Sequence, residues 1–274
     1  MPLLETRELS VTFGGLRAVD GVSVNVDHGT VVGLIGPNGA GKTTFIDALT
    51  GFVPTSRGDI VFDGQSLVSL PAHQRSRAGL VRTWQSLELF DDLTVFENLR
   101  VAAERQRWWS PLADLVAPNR KRDLSGAQWP IDILGLQDLA GRLPTELSQG
   151  QRKLVGVARA LAGRPKLVLM DEPAAGLDTA ESQLLGRQIR SLIDHDITVF
   201  LVDHDMGLVL SICDYVYVIE FGQVIASGTP AEIRVDERVI AAYLGEQARR
   251  EQQHDATAGQ AVAEAGAQAR ESTS

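Results

Sequence analysis

The stretch Gly36-Pro37-Asn38-Gly39-Ala40-Gly41-Lys42-Thr43 fits the spacing G-x-x-x-x-G-K-[ST], and its residue types are those that hold a chain of phosphates. Glycines let successive backbone N–H groups converge on phosphate oxygens, and a helix start favours negative charge. Lys42 adds a point charge, and the Thr43 hydroxyl can ligate Mg²⁺. An ordinary glycine-rich turn between strand and helix is the plainer reading. The phosphate reading requires a strand before the loop and a helix after it. The apolar run Val31 to Ile35 supplies the first, and the second comes from a pattern with Phe45, Ala48 and Leu49 on one face that Gly51 stops. A second candidate is Asp171-Glu172, at the end of the apolar run Lys166 to Met170. A carboxylate at the carboxyl end of a strand lies on the ligand side of an open α/β sheet. There Asp171 can hold Mg²⁺, directly or through water, and Glu172 can polarise or orient an attacking water. Taken alone, the pair could equally cap a helix ahead of Pro173.

From about Leu3 to Gly245 the chain resembles the ATP-binding cassette family, through three further matches in the expected order. Leu147-Ser148-Gln149-Gly150-Gln151 is similar to its signature loop, Gln85 in Thr83-Trp84-Gln85 to its Q-loop, and His204 in Asp203-His204-Asp205 to its switch histidine. The resemblance implies that Phe13 stacks on adenine, that Ala175-Gly176-Leu177-Asp178 is the D-loop, and that Ala18 and Thr44 complete the nucleotide-binding set with Asp178. It implies ATP and Mg²⁺ as cofactors, with Thr43, Gln85 and Asp171 at the metal and Glu172, His204 and Gln85 as catalytic residues. The resemblance implies that Ser148, Gly150 and Gln151 meet the phosphates of an ATP held by the opposite protomer; Ser148 and Gly150 precede a helix expected over about Gln151 to Ala162, whose positive end suits a phosphate. Gln149 replaces the motif's first glycine, and a backbone with φ > 0 there would be strained by a side chain. Val81-Arg82-Thr83-Trp84-Gln85 and the ending Val239 to Gly245 are most similar to the branched-chain amino acid uptake group. Lipid or lipopolysaccharide export ATPases share a similar ending.

The elements that must position these residues begin with β-rich runs at Val22 to Val26, Val31 to Ile35 and Asp59 to Phe62. From Thr94 to Leu143 the periodicity is helical, and Thr94 with Glu97 forms a capping box. Strand patterns return only at Lys166 to Met170 and Thr198 to Val202, with a helix from about Thr179 to Asp194 between them. Tyr215 to Ala226, broken by Gly222, predicts a hairpin, after which Thr229, Pro230 and Glu232 start a closing helix. The expected fold class is α/β: a P-loop NTPase core with a parallel sheet, an N-terminal antiparallel β region and an inserted helical subdomain. The expected boundaries are a core of 1–86 and 160–245 with the helical subdomain over 87–159. Residues 246–274 contain no aromatic, Leu or Ile and are expected to form a disordered or weakly helical tail.

Thirty-five acidic against 26 basic side chains give a net charge of −9, which disfavours nucleic acid as a partner. A single cysteine, Cys213, excludes an internal disulfide. No apolar run approaches the roughly 18 residues that cross a bilayer, and the start lacks the apolar stretch of a signal peptide. A membrane role is therefore expected through partners. The resemblance implies transmembrane permease subunits, a second ATPase subunit, identical or related, and indirectly a substrate-binding protein, with the chain at the cytoplasmic face of the membrane. All four tryptophans, Trp84, Trp108, Trp109 and Trp129, fall between the Q-loop and the signature, a candidate docking block for a membrane-embedded partner or the packing of a small helical subdomain. Arg120-Lys121-Arg122 could meet lipid headgroups or form a solvated face. A soluble, non-transport cassette protein is the alternative from a different class.

Overall fold

Alternation of period two divides the apolar strand residues between two faces of one sheet. That sheet is built from β3 (Val31–Ile35), β6 (Leu80–Arg82), β7 (Leu167–Asp171), β8 (Thr198–Val202), β9 (Tyr215–Glu220) and β10 (Gln223–Gly228), in the order β10-β9-β3-β8-β7-β6. All neighbours are parallel except the β9–β10 hairpin. A second, antiparallel sheet comprises β1 (Leu4–Phe13), β2 (Leu16–Val26), β4 (Arg57–Phe62) and β5 (Gln65–Ser66), in the order β2-β1-β4-β5. The helices are α1 (Lys42–Thr50), α2 (Ala72–Ala78), α3 (Val95–Ala103), α4 (Ser125–Leu134), α5 (Gln149–Leu161), α6 (Thr179–Ser191), α7 (Met206–Ile212) and α8 (Pro230–Val235). This computed structural model describes residues 1–83, 89–103 and 125–243.

One face of the parallel sheet, with Val168, Met170, Val199 and Leu201, packs on Val155 and Leu161 of α5, Leu185 and Ile189 of α6, and Val209 of α7. Leu99 of α3 and Ile131 of α4 belong to the same apolar cluster, so the helices between the two halves of the sheet share its core. The opposite face, with Leu34, Leu169, Phe200 and Ile219, packs on Phe45 and Leu49 of α1 and on Leu4, Leu9, Val22 and Ile60 of the antiparallel sheet. Strands buried on both faces read as continuous apolar runs, which is why β3, β7 and β8 are readable from sequence. The parallel core, the antiparallel N-terminal sheet and the helical insertion match the expected α/β class.

Several elements differ from the sequence expectation. β1 and the first half of β2 went unread because breaks in register after Thr6 and Leu9, with Glu8 at φ 48°, disrupt the alternation. β6 has three residues, too few for a pattern. The stretch read as helical to Leu143 instead passes from α4 into a 3₁₀ turn, Gln137–Leu139, and a second one, Pro144–Glu146, follows it. The Thr94–Glu97 capping box is present, with Glu97 Oε2 accepting from Thr94 N–H at 2.8 Å. Gln85, Trp84, Trp108, Trp109, Arg120 to Arg122, Gly245 and the tail lie outside the described residues.

Candidate active site

The phosphate loop leaves the end of β3 and enters α1, as its spacing predicts. Its glycines are fixed by close approach. A Cβ on Gly36 would sit 2.0 Å from the Ile219 carbonyl oxygen, and one on Gly41, where φ is 103°, 2.3 Å from that of Ala18. No side chain caps α1 at Gly41, which leaves its first turn without a side-chain acceptor at the N-cap. Lys42 is buried, and its ammonium donates to the carbonyls of Gly36 at 2.7 Å and Pro37 at 2.9 Å. The loop thus wraps round its own lysine. A cleft of about 350 Å³ opens over it, bordered by Asn38 to Thr44, Ala18 and Glu172. Leu16, Arg17, Phe221 and Gly222 also border the cleft, and the sequence reading missed them.

Phe13, the expected stacking residue, ends β1 half-exposed and pairs with Leu16 across the hairpin. The cleft wall there is Leu16 and Arg17, and Phe13 is not part of it. Gly36, Pro37 and Asp171 lie beneath or beside the cleft rather than on its surface.

β7 delivers Asp171 to the ligand side of the sheet, almost fully buried. Its Oδ2 accepts from the Arg82 guanidinium at 2.7 Å, and Arg82 also pairs with Asp47 of α1. Burial pushes the Asp171 carboxyl above the usual carboxylate range, against the pull of Arg82. Sequence reading names Arg82 only within the stretch Val81 to Gln85, because the three-residue β6 that it ends leaves no strand pattern. Glu172 follows with φ 47°, and its N–H donates to the Val202 carbonyl at 2.7 Å. This turns the side chain into the cleft at a cost typical of functional positions. Glu172 Oε1 lies 3.4 Å from Nδ1 of His204, which follows β8 and is half-exposed. Beneath His204, burial raises the Asp203 carboxyl, whose Oδ1 accepts from the Asp205 N–H at 3.0 Å.

The signature residues stand apart from this cleft. Ser148 caps α5 in a reciprocal box: Gln151 N–H reaches Ser148 Oγ at 3.3 Å, and Ser148 N–H reaches Gln151 Oε1 at 2.9 Å. Gln149 is the first residue of α5, outside the left-handed region, so the side chain at that position brings no strain of the kind considered. Its amide packs against Gly176, where a Cβ would come within 2.7 Å. Asp178 is the N-cap of α6, accepting from Glu181 N–H at 2.8 Å. From α5, the half-buried Lys153 brings its ammonium to 3.5 Å from the Glu172 carbonyl, and burial lowers its pKa.

Among the described residues no three His, Cys, Asp or Glu side chains cluster as a metal cage. A hydroxyl and a carboxylate are oxygen donors of the kind a hard cation takes together with phosphates and water. Thr43, exposed at the cleft, and Asp171 are the described groups of that kind.

The family model described as ABC transporter matches residues 19–175, and that of the branched-chain amino acid ATP-binding cassette transporter matches 223–249. The chain is 42% identical over 252 residues to the high-affinity branched-chain amino acid transport ATP-binding protein BraF of Pseudomonas aeruginosa, covering 89% of this chain and 98% of that one. With LivG of Escherichia coli, another such protein, identity is 40% at the same coverage. With the lipopolysaccharide export system ATP-binding protein LptB of E. coli it is 37%, over 91% of this chain and 100% of that one. A crystal structure of an ATP-binding cassette of an ABC transporter in its ADP conformation superposes with a TM-score of 0.80 at 33% identity, covering 90% of this chain and all of that one. With the phosphate loop, the buried Asp171 and the Glu172–His204 pair assembled on this fold, the chain belongs to the ABC transporter family, as one of its ATP-binding subunits.

Proposed function

We propose that this subunit hydrolyses ATP to power uptake of branched-chain or other hydrophobic amino acids through a membrane permease, as one of a head-to-tail pair of ATPase subunits at the cytoplasmic face. The observation that carries the chemistry is the cleft over the phosphate loop with Glu172 on its wall and His204 beside it. The backbone N–H groups of the loop and the Lys42 ammonium would receive the β- and γ-phosphates. Glu172, on the cleft wall, would orient the attacking water and accept its proton. His204 stands where its ring can donate to the γ-phosphate and register its loss. Thr43 and Asp171 would hold Mg²⁺, with Gln85 as a further ligand, and the metal supplies charge neutralisation on the phosphates.

The separation of Ser148, Gly150 and Gln151 from the cleft supports the paired arrangement, since their helix N-terminus is then left for phosphates held by the other copy. For the cargo, support comes from likeness spread over nearly the whole chain, including its last described segment. The core of 1–86 and 160–245, with the helical block of 87–159 as the permease-facing part, remains our working division.

Two substitutions test the chemistry. Glu172→Gln keeps the shape and removes the charge, so it should bind Mg-ATP, lose roughly a hundredfold or more in turnover and accumulate as an ATP-bound dimer on gel filtration. Asp171→Asn should instead weaken the Mg²⁺ dependence of binding. Near wild-type hydrolysis by Glu172→Gln would rule out Glu172 as the water-activating group. Leucine uptake by proteoliposomes holding the chain and its co-purified permease tests the cargo, and lipopolysaccharide extraction without leucine uptake would move the assignment to the export group.

A further inference from the structure

Two of the described non-glycine residues with a left-handed backbone border the cleft. One is Glu172, and the other is Phe221, at φ 48°. Phe221 and Gly222 form the two-residue loop of the β9–β10 hairpin, both with positive φ. Such loops favour Asn, Asp or Gly at the first position, and a bulky side chain there is an outlier. Phe221 is also 70% exposed. An aromatic side chain is thus held, on a backbone that disfavours it, at the mouth of the nucleotide cleft.

The loop is rigidly placed. Gly222 N–H donates to the Ala40 carbonyl at 2.9 Å, and the Gly222 carbonyl accepts from Asp20 N–H at 2.8 Å. Gln223 Nε2 adds a bond to Asp20 Oδ2 at 3.0 Å. A Cβ on Gly222 would come within 2.8 Å of the Ala18 carbonyl oxygen. The hairpin tip is therefore locked against both the phosphate loop and β2, which holds Phe221 at a set position beside Leu16, Arg17 and Ala18. With Glu172, these are the residues bordering the cleft outside the phosphate loop, and a nucleotide whose phosphates lie on Lys42 and Thr43 would place its sugar and base on the side of Leu16, Arg17 and Ala18.

We propose that Phe221 is a nucleotide-contacting residue, a wall of the purine site presented by the β9–β10 hairpin. The proposal rests on the reading of this cleft as an ATP site. A π-face suits a purine because stacking tolerates a partly wet edge. It also accounts for an unfavourable residue at a turn where asparagine would relieve the backbone.

The test measures binding of ATP and of inorganic tripolyphosphate to the full chain by calorimetry, with melting temperatures alongside. Phe221→Asn places a favoured residue in the turn, so its melting temperature should hold or rise. Its ATP dissociation constant should rise roughly three- to tenfold, with tripolyphosphate binding unchanged. Phe221→Trp should retain ATP affinity. Unchanged ATP affinity in Phe221→Asn would overturn the proposal, as would equal losses for both ligands, which would mean that the ring only shapes the phosphate loop. A wild-type chain that bound neither ligand would instead overturn the ATP reading of the cleft, and this proposal with it.

Discussion

Arg82 joins three parts of the site through one guanidinium: the strand leading to Gln85, Asp47 on the phosphate-loop helix, and Asp171 at the end of β7. Asp171 is nearly inaccessible, and its carboxyl is already pushed up by burial, so its charge depends on this partner. Removing one member of a buried pair strands the other, at a typical cost of about 3–5 kcal/mol. Arg82→Ala should lose stability on that scale in chemical denaturation, and adding Asp171→Asn should recover part of the loss. A double variant no more stable than Arg82→Ala would show that the guanidinium acts through Asp47 or packing. In the proposed site, a cation held by Asp171 would share that carboxylate with the Arg82 guanidinium.

At the scale of elements, what the sequence discloses depends on whether neighbours along the chain suffice. The phosphate loop and Asp171-Glu172 are legible because each is contiguous and flanked by strands buried on both faces. Leu16 and Phe221 are not, because the cleft joins the first hairpin to the last, and no local pattern marks that contact. Phe13, which its place beside two glycines suggests as a stacking residue, pairs with Leu16 across that first hairpin, whose Leu16 and Arg17 border the cleft. Packing between β3 and α7 is equally hidden. A Cβ on Gly33 would come within 2.7 Å of Val209 Cγ1 and 3.0 Å of Cys213 Sγ. Gly33→Ala should therefore push α7 outward and cost about 1–3 kcal/mol, in the range of overpacked cores. Cys213 reports on that movement, since it is the chain's single cysteine, buried, with its thiol pushed up to about 12 by burial. A thiol reagent at pH 8 should modify native wild-type protein very slowly and Gly33→Ala faster. Equal rates would mean that α7 absorbs the methyl group without moving.

Across the whole molecule, one sheet separates two apolar layers, and every strand of its centre contributes to both. Phe200 lies in the layer shared with the antiparallel sheet, its ring centroid 6.1 Å from that of Phe45. Phe200→Ala should cost about 3–5 kcal/mol, as for other buried aromatics. Because β8 also supplies Val199 and Leu201 to the other layer, calorimetry should show one transition at lower temperature. Two resolved transitions would mean that the layers unfold independently. The hairpin clamp on the phosphate loop has a consequence for synthesis on the ribosome. Ala40 emerges early, yet the N–H that holds its carbonyl belongs to Gly222, about 180 residues later. At translation speeds of about 5–20 residues per second, the loop waits roughly 10–40 s for its clamp. A ribosome stalled before residue 222 would display a phosphate loop that lacks the hydrogen bond from this hairpin to the Ala40 carbonyl.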